Sequence, residues 1–253
     1  MTQYGSMESG EYDLMFRIEQ SYWWYTGRRF LVMNLLRKWL RPAAPLAILD
    51  VGCGTGANLL ALRALGDAAG CDMAPAAVAY CHSRGLTGVV PQVPDRIPFP
   101  DGQFDLVTCL DVIEHIEEDT AFMREIGRVL KPGGSVLFTT PAHKVLWSVH
   151  DESVHHKRRY ARREFTDKLR AAGLLPTRLT YLNCWLLPAI VPVRWLRDKV
   201  VRPRGVTSDF NLTLPGWLNR VFDLLFKSEW LWLRLAPLPF GLSLCALGRR
   251  PPA

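Results

Sequence analysis

Apolar and basic side chains alternate at helical spacing over residues 26–41, and the run stops before Pro42, which predicts a helix there. "LAILDVGCGTG" (46–56) follows, a short apolar run ending in glycines, the pattern of a buried parallel strand entering a loop. The rhythm then repeats. "AAGCD" (68–72) reads as a second strand, followed by a helix that Pro75 starts. "GVVPQV" (88–93) and "FDLVTCL" (104–110) read as the third and fourth strands. A helix from Asp119 to Leu130 stops at "KPGG", and "SVLFTT" (135–140) is the fifth strand. Strands alternating with helices at this spacing predict an α/β fold built on a doubly wound parallel sheet. After Pro141 the rhythm changes. A polar loop (142–160) leads to a helix at 162–172, then to "TRLTYLNCW" as a sixth strand, and "LSLCALGRR" closes the chain as a seventh.

Between the last two strands lies an insert, residues 185–240, with five of the nine tryptophans and four interrupting prolines, Pro188, Pro192, Pro203 and Pro215. Its stretch "RVFDLLFKSEWLWLRLAPLPF" (220–240) carries Arg220, Asp223, Lys227, Glu229 and Arg234, too many charges for a bilayer span. Wound as a helix, Arg220, Asp223, Lys227 and Arg234 share a stripe, and most of the remaining circumference is Trp, Leu, Phe and Val. Two uses fit this amphipathic pattern: contact with an anionic membrane surface, or a cap over a pocket for a bulky hydrophobic molecule. A purely structural cap or a dimer interface also fits.

Charge sharpens the picture. Residues 1–150 carry 13 Lys/Arg against 16 Asp/Glu, whereas residues 151–253 carry 18 against 8, a net +10. That excess suits anionic lipid or a phosphorylated substrate; no helix-turn-helix, zinc-finger or aromatic RNA-binding pattern accompanies it, so no nucleic-acid partner is expected. Six scattered cysteines without a CxxC pair read as reduced small hydrophobes, and the N-terminus lacks a signal-peptide pattern, so a cytoplasmic protein is expected, with a peripheral place on the membrane face as the extension.

The chemistry centres on "DVGCGTGA" (Asp50–Ala57), between a strand and a helix. Glycines let the backbone approach a ligand, and Asp72 at the end of the second strand can accept hydrogen bonds from a ribose diol. Such a loop suits either a dinucleotide or S-adenosylmethionine. Five ordered pieces separate the two: "ILDVGCGTG", "GCDMAPAAV", "IPFPDGQFDLV", "LDVIEHI" and "VLKPGGSVLFTTP". Together they resemble the class I S-adenosylmethionine-dependent methyltransferases, of the type that includes ubiquinone and menaquinone biosynthesis enzymes, over residues 45–141. The resemblance implies a single Rossmann-like domain with a seven-stranded sheet, mostly parallel with the last strand antiparallel. Its parts are a helical lead-in (1–44), the cofactor core (45–141), an acceptor-side loop and sixth strand (142–184), the helical insert (185–240), and the last strand and tail (241–253). It places Asp50, Gly52, Cys53, Gly54 and Gly56 around the methionine part of the cofactor, Asp72 and Met73 at the ribose and adenine, and Leu110 and Asp111 near the sulfonium.

One departure stands out. Relatives carry an acidic and a small residue a few positions before "PF", where the adenine amino group is held; here those places hold Val93 and Pro94, which leaves Asp95 after a loop shift, or backbone and packing, to hold the base. "YWWYTGRR" (22–29) looks like the lead-in helix of some relatives, with Arg28 or Arg29 placed to pair with the methionine carboxylate.

Methyl transfer from a sulfonium needs alignment and removal of one proton. The loop "HKVLWSVHDESVHHKRRYARREF" (143–165) offers His143, His150, Asp151, His155, His156 and Tyr160 at the carboxyl end of the sheet. The stretch resembles an "HD…HH.RRY" loop of a subset of the family, which implies that it lines the acceptor pocket. His150 is the first candidate base and His156 the second, with Asp151 orienting one imidazole. Asp111, Glu114 and His115 in "DVIEH" form an acidic/His cluster of a kind that holds a divalent ion in some ubiquinone-type enzymes; the same "EH" occurs in relatives without one, and no metal is assigned. The expected activity is O-methylation of a hydrophobic small molecule or lipid-linked acceptor; the alternatives are C- or N-methylation of a soluble intermediate, or a relative that binds cofactor without catalysis. Oligomeric state is not legible in the sequence.

Overall fold

The computed structural model describes residues 9–94, 96–200 and 214–252. Two helices lead in, α1 (Ser9–Ile18) and α2 (Trp23–Leu40). Then β1 (Leu46–Val51), α3 (Ala57–Leu62), β2 (Gly66–Asp72), α4 (Pro75–Ser83), β3 (Val89–Pro91), β4 (Phe104–Leu110), α5 (Asp119–Val129) and β5 (Leu130–Pro141) alternate as the sequence pattern requires. The acceptor-side stretch holds α6 (Val149–Ser153), α7 (Arg162–Ala171) and β6 (Leu175–Leu182), the insert holds α8 (Leu187–Val200) and α9 (Gly216–Leu233), and β7 (Ser243–Arg249) ends the fold.

The strands form one sheet in the order β3-β2-β1-β4-β5-β7-β6. β1 pairs in parallel with β2 and β4, and β4 with β5, while β7 lies antiparallel between β5 and β6. The inner strands are buried on both faces, which is why they read as unbroken apolar runs. α5 covers one face with Phe122, Met123, Ile126 and Val129, all on one side of the helix. Strand order reverses between β1 and β4, so the loops leaving them part and open a crevice at the carboxyl ends. β5 begins earlier than the apolar pattern suggests. Its "KPGG" lies within the strand as a register shift opposite Phe104 and Leu106, because Leu130 already pairs with Phe104.

The insert is stitched to the lead-in. Phe226 of α9 is fully buried, and it lies so close to Gly27 of α2 that any Cβ at Gly27 would collide with its ring. Burying such a side chain contributes about 1.5–3 kcal/mol. Asn219 of α9 accepts from Trp23 N at the start of α2 (2.9 Å) and donates to Ser21 O (2.8 Å), acting as a helix cap supplied from across the fold. Thr26 donates to Asp223 (2.5 Å), which also takes Lys227 (2.6 Å). Glu229, exposed in a simple amphipathic reading, is instead buried and accepts the backbone N–H groups of Asn183, Cys184 and Trp185 just past β6 (2.9, 2.5 and 3.1 Å). Burial pushes its carboxyl up to about 7 despite these three donors. Asn219, Asp223 and Glu229 of α9 thus face the protein. No described helix is long and apolar enough to cross a membrane.

Candidate active site

A cavity of about 840 Å³ opens at the crevice between β1 and β4, large enough for a cofactor-sized ligand and more. Its floor at one end is the loop after β1. Gly52, Cys53 and Gly54 line it, with Gly52 at φ +67° and its Cα so close to Val112 that a side chain would collide. Asp72, Met73 and Gln92 line the same end, as do Leu110 and Asp111 from the end of β4. Asp72 accepts from Gly54 N and Ala74 N (both 2.9 Å), which fixes the carboxylate and leaves lone pairs on it for a diol. Burial raises its pKa.

α1 and α2 close this end. Tyr12, Met15 and Glu19 at i, i+3 and i+7 of the lead-in reach the cavity, with Trp24 and Arg28. Arg28, rather than Arg29, is the arginine there: Arg29 is tied to Glu19 O (2.8 Å). Arg28 lies 4.3 Å from the Trp24 ring centroid, pairs with Asp111, and keeps one buried nitrogen, Nε, without a hydrogen bond. Burial lowers its pKa to about 10, so it remains a cation. Asp111 adopts φ +56°, a left-handed conformation unusual outside glycine and held by the strand end and its arginine. An unsatisfied guanidinium nitrogen, a glycine floor that excludes side chains and a fixed carboxylate suit the carboxylate, sulfonium and ribose of S-adenosylmethionine.

Two residues expected around the cofactor stand behind the loop. Asp50 is 1% exposed and accepts from Thr108 Oγ1 (2.6 Å) under the β1–β4 seam, with burial raising its pKa to about 7. Gly56 starts α3 at φ +91° against Leu86 and Cys81. Neither lines the cavity; both support the loop from beneath. Alongside Asp72 and Met73, Gln92 lines the wall where Val93 and Pro94 do not, Val93 being exposed and bridging Arg96. Asp95 lies outside the described residues.

The other end is a histidine cluster. His150 and His156 both line the cavity, with Glu114 and His115. Asp151 does not reach it. Fully buried, it caps α6 through Ser148 N (2.9 Å), receives Arg159 through Nε and Nη2 (2.7 and 2.8 Å), and takes His156 Nδ1 at 2.9 Å. The Arg159 and His156 contacts hold its carboxyl well below the ordinary aspartate value even against burial. An ionised acceptor on Nδ1 fixes the proton there and leaves Nε2 of His156 as the basic nitrogen. Of the two candidate bases, His156 is therefore the one that Asp151 orients. Tyr160 corrects the expectation for this loop: it is fully buried and its hydroxyl donates to Asp119 (2.8 Å) and Ile113 O (3.3 Å), anchoring the loop to α5 away from the cavity.

Glu114 is fully buried, accepts from Thr140 (3.1 Å) through Oε2, and directs Oε1, which makes no hydrogen bond, to 3.8 Å from His156 Nε2. Burial raises its pKa to about 8. His115, 4.9 Å from His156 between ring centres, is pushed down to about 3 by burial and then by His156, so it is neutral. Glu114, His115 and His156 offer three ligand atoms within 4.8 Å of one another, while Asp111 belongs to Arg28 instead.

A methyltransferase-domain family profile matches residues 49–138. A curated relative, the ubiquinone biosynthesis O-methyltransferase of Xanthomonas oryzae pv. oryzae (strain PXO99A), is 33% identical over 184 residues, 68% of each chain. The chain belongs to the class I S-adenosylmethionine-dependent methyltransferases. S-adenosylmethionine is its cofactor. A solved methyltransferase from Aquifex aeolicus shares the fold at a TM-score of 0.52 and 20% identity, over 70% of this chain and 93% of that one. So does the [4+2]-cyclase SpnF, at 0.58 and 18%, over 88% and 81%. The fold alone therefore does not name the reaction. The insert also supplies the methyltransferase's cavity with apolar lining: Ala189, Ile190 and Val193 of α8, Leu214, and Leu218 and Phe222 of α9.

Proposed function

We propose that the methyltransferase transfers a methyl group to a hydroxyl oxygen of a hydrophobic, quinone-precursor-like phenol, with His156 as the base. The observation that carries this reading is the dyad: Asp151, held by Arg159, takes His156 Nδ1 at 2.9 Å, and His156 lines the cavity. Support for oxygen as the acceptor comes from the ubiquinone biosynthesis O-methyltransferase relative, and support for a bulky apolar molecule from the wall built by α8 and α9.

S-adenosylmethionine, when bound, supplies an electrophilic methyl on a sulfonium, so the protein has to align and deprotonate. Arg28 and Asp72 both line the cavity and would hold the two polar ends of the cofactor. With the cofactor's methyl group supplied to the phenolic oxygen, His156 would take the phenolic proton on Nε2 and Asp151 would stabilise the resulting imidazolium. Beside that imidazolium, burial holds His115 neutral and pushes the Glu114 carboxyl up to about 8. The apolar wall excludes water and orients the ring.

The test is a comparison of His156→Ala with His150→Ala, measured by turnover on a short-chain catechol and by calorimetric cofactor affinity. His156→Ala is expected to lower turnover by about 10²–10⁴-fold with cofactor affinity unchanged, and His150→Ala by much less. Equal turnover of His156→Ala and parent would remove the base.

A further inference from the structure

α9 has its polarity inverted relative to a surface helix. Phe226, Glu229 and Leu233 are buried, and Asp223 and Asn219 are consumed by α2. The opposite side is Trp217, Val221, Leu224, Leu231 and Leu235, at spacings of four, three, seven and four, hence one face. Trp217 is 70% exposed, Leu224 60%, Leu231 60% and Leu235 77%. Leu225 and Trp232 border the same face, also exposed. A contiguous outward apolar face of this kind marks an interaction surface.

Its charge says what covers it. Along one edge run Arg220, Lys227 and Arg234, and Lys227 lies 6.0 Å from the Phe30 ring of α2. Phe30, Asn34, Arg37 and Arg41 continue that edge at one-face spacing along α2, with Phe30, Arg37 and Arg41 exposed. α2 contains no acid, and the two acids of α9, Asp223 and Glu229, face inward. Lys227 on this edge is paired with Asp223 (2.6 Å), but Arg220, Arg234, Arg37 and Arg41 are exposed along it, and an apolar face with such an edge is complementary to an anionic lipid surface. The cavity adds direction. Leu218 and Phe222 on the inner side of α9 line it, and Val193 of α8 both lines it and is 63% exposed, so the mouth opens beside the apolar face.

The geometry points to α9 as a docking helix that seats the protein on an anionic bilayer with the cavity mouth at the lipid surface. This goes beyond the methyl-transfer reading and rests on it only for what the bilayer delivers, a lipid-soluble acceptor.

The experiment uses the full chain with phosphatidylcholine vesicles, with and without phosphatidylglycerol, in co-sedimentation at low and high salt. The parent sediments with the anionic vesicles and is partly released by salt, since charge attraction fades beyond a Debye length while the apolar contact persists. Trp217→Ser/Leu224→Ser/Leu231→Ser lowers vesicle binding at least about tenfold, and Arg220→Gln/Arg234→Gln removes most of the salt-sensitive part. Because these side chains are exposed, both variants keep the parent's cofactor affinity, melting temperature and turnover on a water-soluble catechol. Those readouts also separate the two proposals: a parent inactive on the catechol but bound to vesicles sinks the reaction and leaves the docking face standing. A parent that fails to sediment, or that is a dimer by native mass which the serine variant dissociates, overturns the docking proposal.

Discussion

Replacing Asp151 with asparagine keeps the shape of the side chain and removes its charge. Asp151 and Arg159 are 0% and 3% exposed, and two charge-assisted hydrogen bonds join them. Asparagine leaves the guanidinium buried without a counter-charge, a change that costs about 3–5 kcal/mol. For a chain of 253 residues, an unfolding entropy of about 2.1 cal/mol/K per residue turns this into a melting temperature lower by roughly 6–10 °C. The carboxyl's depressed pKa sets the pH window. Its stabilisation is present above the ordinary aspartate value of 3.8 and is lost as pH falls through the folded value, so parent and variant converge in acid. Scanning calorimetry across that range measures the stability part. Turnover per folded molecule measures the other part: with His156 no longer held in the Nδ1–H form, the rate falls about 10²–10⁴-fold. A variant that melts with the parent would refute the buried pair. One that melts early yet turns over normally would refute the orienting role and leave Asp151 a structural anchor.

Asp72 lines the cavity, and if its carboxylate accepts from the ribose diol, Asp72→Ala weakens cofactor binding by about 1.5–3 kcal/mol, read by calorimetry; unchanged affinity would take Asp72 out of the site. Glu114 is raised to about 8 by burial, so the folded protein keeps a proton there that the unfolded chain loses near 4.5. The parent's stability at this group is thus full below the unfolded value and lost as pH rises toward 8. Glu114→Gln lacks this loss, and its melting temperature should gain on the parent's between pH 5 and 8; parallel curves would show Glu114 to be solvated.

The cofactor end was legible in the sequence because its signals are local. A strand, a glycine turn and an acid at the next strand end occupy adjacent positions, and the loop needs no distant partner to be recognised. The acceptor end was less legible for the opposite reason. His150 and His156 differ in nothing the sequence shows; only Asp151, folded back through the cap of α6 and clamped by Arg159, selects His156. Tyr160 read as a pocket residue because its partner, Asp119, is 41 positions away. Periodicity in α9 revealed two sides but not which faced inward. That was decided by Thr26 and Trp23 of α2, nearly 200 residues earlier, which satisfy Asp223 and Asn219 and so turn the apolar side out. Gln92 escaped notice because the family pattern directs attention to Val93 and Pro94, which a short β3 carries past the cavity.

The reaction is defined by the atom that receives the methyl group and the side chain that removes the proton. A single-turnover reaction with methyl-labelled S-adenosylmethionine and a prenylated catechol, with the product resolved by NMR, addresses both at once. Label is expected on a phenolic oxygen in the parent, and a His156→Ala enzyme is expected to bind the cofactor normally but form the same product at least about a hundredfold more slowly. Label on carbon or nitrogen, or an unslowed His156→Ala reaction, would contradict this expectation.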